Sequence, residues 1–185
     1  MTLPARKPLL VVADDDPAER DRMVGALERR YSADYAVIGC ANDRLLAVLE
    51  EAPSLGEVAV VLASGERGPE LLARVRVLQP TARRGLLIPW LGWMDRALAE
   101  LVLRSMARGW IDLYVLRPTS APDEVFHRTI AELLQESARL RGEGPAGATV
   151  VTGTPSVRAH ELRSTLSGLG IPHRLARSPA QPSRR

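Results

Sequence analysis

Three consecutive carboxylates, Asp14, Asp15 and Asp16, are the residues of this sequence best placed to do chemistry. They follow an apolar run at residues 9–13, which predicts a buried strand. In a sheet covered by helices on both faces, ligands bind beyond the carboxyl ends of the strands, so these side chains are expected beside a ligand site. Asp15 or Asp16 also suits the N-cap of a helix that starts near Pro17.

The elements that position these carboxylates follow from an alternation of short runs of Val, Leu and Ile with longer segments of helical periodicity. This alternation predicts an α/β fold, a doubly wound sheet of five parallel strands. The predicted strands span residues 9–13, 35–39, 58–63, 85–88 and 113–116. The predicted helices begin near Pro17, at a cap formed by Asn42, at Pro69, and near residues 94 and 122; the third ends before Pro80.

The run Val-Val-Ala-Asp-Asp-Asp-Pro at residues 11–17, combined with five alternating units, resembles the receiver domain of response regulators over residues 8–140. The resemblance implies a flavodoxin-like fold. It also places Asp14 and Asp15 at the acidic pair that holds magnesium in that family.

Four positions of the resemblance decide what the domain can do, and three depart from the family. Ser64 stands where the family has its phosphate-accepting aspartate; a hydroxyl cannot form the labile acyl phosphate or supply a third anionic oxygen to Mg²⁺. Ile88 replaces the small hydroxyl residue that senses phosphate. Arg117, followed by Pro118, replaces a lysine. Its planar guanidinium donates hydrogen bonds in a different geometry from the compact ammonium of lysine. Tyr114 remains at the switch aromatic, where it either switches or simply packs.

The missing aspartate predicts a pseudo-receiver, with no catalytic residue, no metal and no cofactor. Glu66 is an alternative acid, but it is displaced by two residues and is better explained as a solvated loop charge.

The surface formed by the fourth helix, fifth strand and fifth helix is the predicted site for a protein partner or a homodimer, since the family commonly uses it. The apolar arc of the fourth helix is wider than a sheet requires, so Leu103 is expected to point outward. Trp90, Trp93 and Trp110 flank that helix and suit a binding surface. Alternatively, these rings cover the edge of the sheet.

The remaining residues predict a receiver-like domain at 1–141, a linker at 142–147, a β-α-β fragment at 148–177 and a disordered tail at 178–185. The fragment resembles the glutaredoxin-like segment of proteins that fuse a receiver to a thioredoxin-reductase-like enzyme. This chain has one cysteine, Cys40, and no Gly-x-Gly-x-x-Gly turn, so neither thiol nor flavin chemistry is expected from it.

The composition excludes several function classes. The net charge is +3, its basic excess lies after residue 141 without interleaved aromatic residues, and nucleic-acid binding is not expected. No apolar run approaches a membrane span, so a cytoplasmic location and no membrane contact are expected. The sequence thus predicts a phosphorylation-independent regulatory or interaction module in signal transduction. The alternative is a regulatory subunit, or remnant, of a flavin-dependent thioredoxin-reductase-like system.

Overall fold

The computed structural model describes residues 6–119, 123–141, 148–152, 157–168 and 173–177. The chain divides into two compact units, residues 1–141 and residues 142–185.

The first unit contains a five-stranded, all-parallel sheet in the order β2-β1-β3-β4-β5, which confirms the predicted α/β fold. Every residue of β1 and β3 is buried, as continuous apolar strands in the centre of a parallel sheet should be. The strands are β1 (Leu9–Ala13), β2 (Ala36–Cys40), β3 (Val58–Ser64), β4 (Arg83–Ile88) and β5 (Leu113–Leu116).

Helices cover both faces of this sheet because successive strand residues point to opposite sides. On one face, Leu10 and Val12 of β1 pack with residues of the first and fifth helices; on the other, Leu9 and Val11 pack with residues of the second, third and fourth. The helices are α1 (Pro17–Tyr31), α2 (Leu45–Leu55), α3 (Gly68–Leu78), α4 (Arg96–Ala107) and α5 (Glu124–Leu140).

Aspartates cap three of these helices. The Asp16 carboxylate accepts hydrogen bonds from the amides of Ala18 and Glu19, and Asp95 and Asp123 cap α4 and α5 in the same way. The prediction that Asn42 caps the second helix is wrong. Asn42 instead opens a 3-10 turn (Asn42–Arg44) before α2, and its side chain bonds elsewhere.

An ion-pair network closes the opposite end of the sheet, at the start of β4. Both carboxylate oxygens of Asp112 accept from Arg84, at 2.9 and 3.0 Å, and Oδ1 also accepts from Arg83 at 3.0 Å. Arg83 reaches Glu136 of α5 at 2.6 Å as well. Since the Arg84 side chain is only 9% exposed, Asp112 is the anion that lets β4 begin with two arginines.

The second unit is a β-α-β arrangement. Strands β6 (Ala148–Thr152) and β7 (His173–Arg177) pair in parallel, and α6 (Val157–Gly168) lies between them in sequence. The predicted linker at 142–147 and tail at 178–185 lie outside the described residues.

Replacing Asp112 with Ala should lower the free energy of unfolding by about 3 kcal/mol, because it leaves two poorly exposed guanidinium groups without their shared anion. Urea unfolding measures the change. Glu136→Ala, which removes the half-exposed partner of Arg83, is the matched control and should cost no more than about 1 kcal/mol. Equal losses in the two variants would contradict the assignment.

Candidate functional site

The carboxyl ends of β1, β3 and β5 lie along one edge of the sheet and bring together residues that are far apart in sequence. Asp14 follows β1, Ser64 ends β3 and Arg117 follows β5. The amide of Asp14 donates to the carbonyl of Cys40, and that of Arg117 to the carbonyl of Ile88, which fixes both side chains at this edge.

Asp14 is almost completely buried, at 3% exposed, and its carboxylate is held by two groups. Oδ1 accepts from the amide of Asp16 at 3.0 Å. Oδ2 lies 2.7 Å from Nη2 of Arg117, an ion pair that lacks the direction of a good hydrogen bond. The guanidinium also reaches Glu19 of α1 at 3.4 Å. Arg117 therefore joins the ends of β1 and β5 to the first turn of α1.

Asp15 is exposed but is also engaged. Its carboxylate accepts from the backbone amide of Asn42 at 2.9 Å and from the side-chain amide of the same residue at 3.0 Å. The side-chain amide donates in addition to the carbonyl of Ser64 at 3.2 Å. Asn42, which is 5% exposed, thus links β1 to β3 and orients Asp15 toward β2. The sequence analysis missed this role.

Ser64 is buried at 2% exposed, next to the positive-φ residue Gly65. It ends β3 at the same edge as Asp14, which pairs with Arg117, and its carbonyl accepts from Asn42, which also bonds Asp15. Within the described part of the chain, no cluster of three metal-ligating side chains occurs. A hard divalent cation needs several anionic oxygens, so these residues do not fit magnesium.

The other predicted positions are dispersed around this edge. Ile88 is 1% exposed and fills the core beneath α4, while Glu66 is exposed on the loop before α3. Tyr114 is half-buried and packs edge-to-face on Trp93, with ring centroids 4.8 Å apart. Trp93 belongs to a 3-10 turn (Gly92–Met94) ahead of α4, so this ring pair connects β5 to that turn.

The predicted interface residues fall into two environments. Trp90 and Leu103 are exposed by 50% and 59%, Trp93 by 38% and Met94 by 82%. Trp110, at the far end of α4, is half-buried with the guanidinium of Arg108 4.7 Å from its ring. The exposed set consists of residues in the β4–α4 connection and on the outer side of α4.

Cys40 is the one cysteine of the sequence, and it is buried at the end of β2. Burial raises the pKa of its thiol to about 11. Arg20 lowers this pKa and Asp43 raises it, each by less than burial does. The thiol is therefore protonated at neutral pH and is a poor nucleophile.

Solved structures with similar folds share this architecture. The receiver domain of an HD domain-containing protein from Pseudomonas fluorescens Pf-5 is 21% identical, with a TM-score of 0.58 over 77% of this chain and 97% of that one. A CheY-like receiver from Methanospirillum hungatei JF-1 is 19% identical, with a TM-score of 0.52 over 75% and 99%. A structure described as adenylate cyclase from Rhodopirellula baltica is 16% identical, with a TM-score of 0.55 over 74% and 94%.

The sequence matches no protein-family model and no curated protein. The fold of residues 6–119 and 123–141 is that of a response-regulator receiver domain. The relation of the second unit to a glutaredoxin-like segment, and with it the flavin-dependent alternative, stays a prediction.

Introducing an acid at residue 64 should not by itself create a cation site, because Arg117 still neutralises Asp14. Ser64→Asp combined with Arg117→Ala should bind Mg²⁺ at least about tenfold more tightly than Ser64→Asp alone, since it leaves three carboxylates without the guanidinium. Titration calorimetry measures both.

The matched control is Ser64→Asp combined with Arg22→Ala, which removes a neighbouring arginine that pairs with Glu19 and not with Asp14. It should behave as Ser64→Asp alone. If Ser64→Asp binds Mg²⁺ as tightly as its combination with Arg117→Ala, the ion pair does not block the site.

Proposed function

We propose that this protein is a pseudo-receiver, a module of signal transduction that binds other proteins without being phosphorylated. The observation that carries the proposal is the ion pair between Asp14 and Arg117 beside Ser64. It engages with a guanidinium one of the two carboxylates that the family resemblance assigns to magnesium, and no third carboxylate stands at Ser64.

The chemistry of phosphoryl transfer supports the same conclusion. Transfer to an aspartate needs a carboxylate nucleophile at the end of β3 and a cation that neutralises the charge on the transferred group. Ser64 is a buried hydroxyl, and Arg117 is already bound by Asp14 and Glu19. Both requirements are therefore unmet, and the proposed module is not an enzyme.

The contact between Tyr114 and Trp93 supports a domain that has a single conformation and does not switch. Tyr114 packs on Trp93, and Ile88 at the end of β4 offers no hydroxyl to a phosphoryl group. Any rotation of the Tyr114 ring would have to break the contact with Trp93. In this proposal Tyr114 is a packing residue.

The interaction surface of the proposal is the exposed apolar set around α4. Trp90, Met94 and Leu103 are large apolar side chains that solvent reaches, and tryptophan is the residue most enriched in binding hot spots. A second copy of the chain is the simplest partner.

A cytoplasmic location and the absence of a nucleic-acid partner belong to the proposal too. Among the helices that the structure describes, none has the length and apolar character that crossing a membrane requires.

Incubation with Mg²⁺ and acetyl phosphate tests the central claim, with the intact protein weighed afterwards. The mass should not change, because no carboxylate nucleophile lies at the end of β3. An authentic receiver domain treated in parallel shows that the donor is active. One added phosphoryl group on the wild type would overturn the proposal, and its loss in Ser64→Ala would identify the hydroxyl as the acceptor.

Light scattering over a range of concentrations tests the surface. The wild type should self-associate, and Leu103→Arg should shift the equilibrium to monomer, since it places a charge in the apolar contact. Val77→Arg is the matched control, because Val77 is 80% exposed on α3, outside the surface. A wild type that is monomeric at every concentration would contradict self-association.

A further inference from the structure

A groove of about 970 Å³ lies between α4 and the carboxyl edge of the sheet. Leu86 and Leu87 of β4 line it on the sheet side, and Leu98 and Leu101 line it on the helix side. The loop after β5, with Pro118, forms a further part of the lining. Its volume falls within the range of small-molecule sites, which are typically apolar with a few placed polar groups.

The groove exists because α4 covers the sheet incompletely. Of its residues, only Val102 and Ser105 are fully buried. Leu98 and Leu101 are half-buried and line the groove, although both are large enough to fill a core. The apolar area that α4 leaves uncovered is therefore on its inner side, facing β4, and is distinct from Leu103 on the outer side.

The apolar lining includes an aromatic residue. Trp90 is half-exposed and follows Pro89, which also lines the groove. An indole beside leucine side chains favours a flat apolar body, because stacked rings gain more than aliphatic contact alone.

The lining carries three arginines and three acids, most of which are balanced within the chain. Arg22 contacts Glu19 at 2.7 Å, and Arg117 contacts both Glu19 and Asp14, so these four groups neutralise one another. The charge of Asp95, the cap of α4, is balanced by the helix N-terminus.

Arg104 is the cation of the lining that remains. Its side chain donates to the carbonyl of Glu100 at 3.3 Å, and it pairs with no carboxylate among the residues described. A guanidinium that has no carboxylate partner can bind the carboxylate or sulfonate of a ligand with two parallel hydrogen bonds. Glu66 also lines the groove, so a ligand with a single negative charge fits better than one with several.

We infer that this groove binds a small aromatic monoanion, such as an aromatic carboxylate, with its charged group at Arg104 and its rings between Trp90 and the leucines of α4 and β4. A ligand in this position contacts α4 and the loop after β5 together. It would hold α4 against the sheet and so give the domain an input that does not involve phosphate. The inference goes beyond the proposed function.

Fluorescence and calorimetric titration with 1-anilinonaphthalene-8-sulfonate, an aromatic monoanion, test the inference. The wild type should bind one molecule per chain. Ala97→Phe should weaken binding about tenfold or more, since Ala97 lines the groove and a phenyl ring there occupies the space of the ligand. Ala97 is exposed, so the substitution does not enter the core, and the unfolding midpoint verifies that the variant folds.

Ala107→Phe is the control on the same helix and should leave the affinity unchanged, because Ala107 is exposed and does not line the groove. Equal affinity in the wild type and Ala97→Phe, or binding of several molecules per chain, would overturn the inference.

The role of charge is tested separately. Arg104→Gln should weaken the anionic probe about three- to tenfold and leave the uncharged N-phenyl-1-naphthylamine unaffected, because only the sulfonate loses a charge-assisted hydrogen bond. Arg96→Gln is the control, since Arg96 pairs with Glu100 and lies outside the groove. Equal effects of Arg104→Gln on both probes would overturn the assignment of Arg104. These titrations do not depend on whether the protein gains mass when it is incubated with acetyl phosphate. Failure of this inference can therefore be distinguished from failure of the proposed function.

Discussion

A carboxylate buried at the carboxyl edge of a parallel sheet must have a positive partner, and the choice of that partner governs the remainder of this structure. Taking Asp14 out of water without one would cost several kcal/mol. Here the partner is Arg117, at 2.7 Å, supplied by the chain itself. Because Arg117 already balances the charge of Asp14, a cation would gain less by binding this carboxylate than it would from an unpaired one.

The same interaction explains why distant segments act as one unit. Arg117 reaches Asp14 and Glu19, and Asn42 reaches Asp15 and the carbonyl of Ser64. These contacts connect the ends of β1, β3 and β5 with the starts of α1 and of the turn before α2. The groove beneath α4 adjoins this connected edge through Glu19 and Arg117, so the charges that pair at the edge also line one side of the groove.

The sequence predicts the fold well where a single physical requirement acts. Short continuous apolar runs that alternate with helical segments favour central strands of a covered sheet, and an aspartate directly before Pro17 favours a helix cap, as Asp16 forms. It is less informative where two requirements compete. Asn42 could cap a helix or bond a carboxylate, and the outcome depends on β2 lying beside β1, where Ala13 pairs with Cys40.

Burial of charge is the second reason why the structure differs from what the sequence predicts. The predicted fourth strand starts at residue 85, yet Arg83 and Arg84 belong to β4 because Asp112 neutralises them. The groove beneath α4 could not be predicted from the sequence pattern either. The apolar arc of α4 reveals which residues avoid water, but the distance between the helix and the sheet is set by the packing of Val102 and Ser105.

The internal salt link between Asp14 and Arg117 has a consequence for how a cell could control such a protein. A conventional receiver carries information in the fraction of molecules that are modified, which can change within seconds while the copy number stays constant. In the proposed pseudo-receiver, no such modified fraction exists. Its message would instead be set by the amount of protein present, through gene dosage, synthesis and turnover, and by the fraction of chains whose groove beneath α4 is occupied.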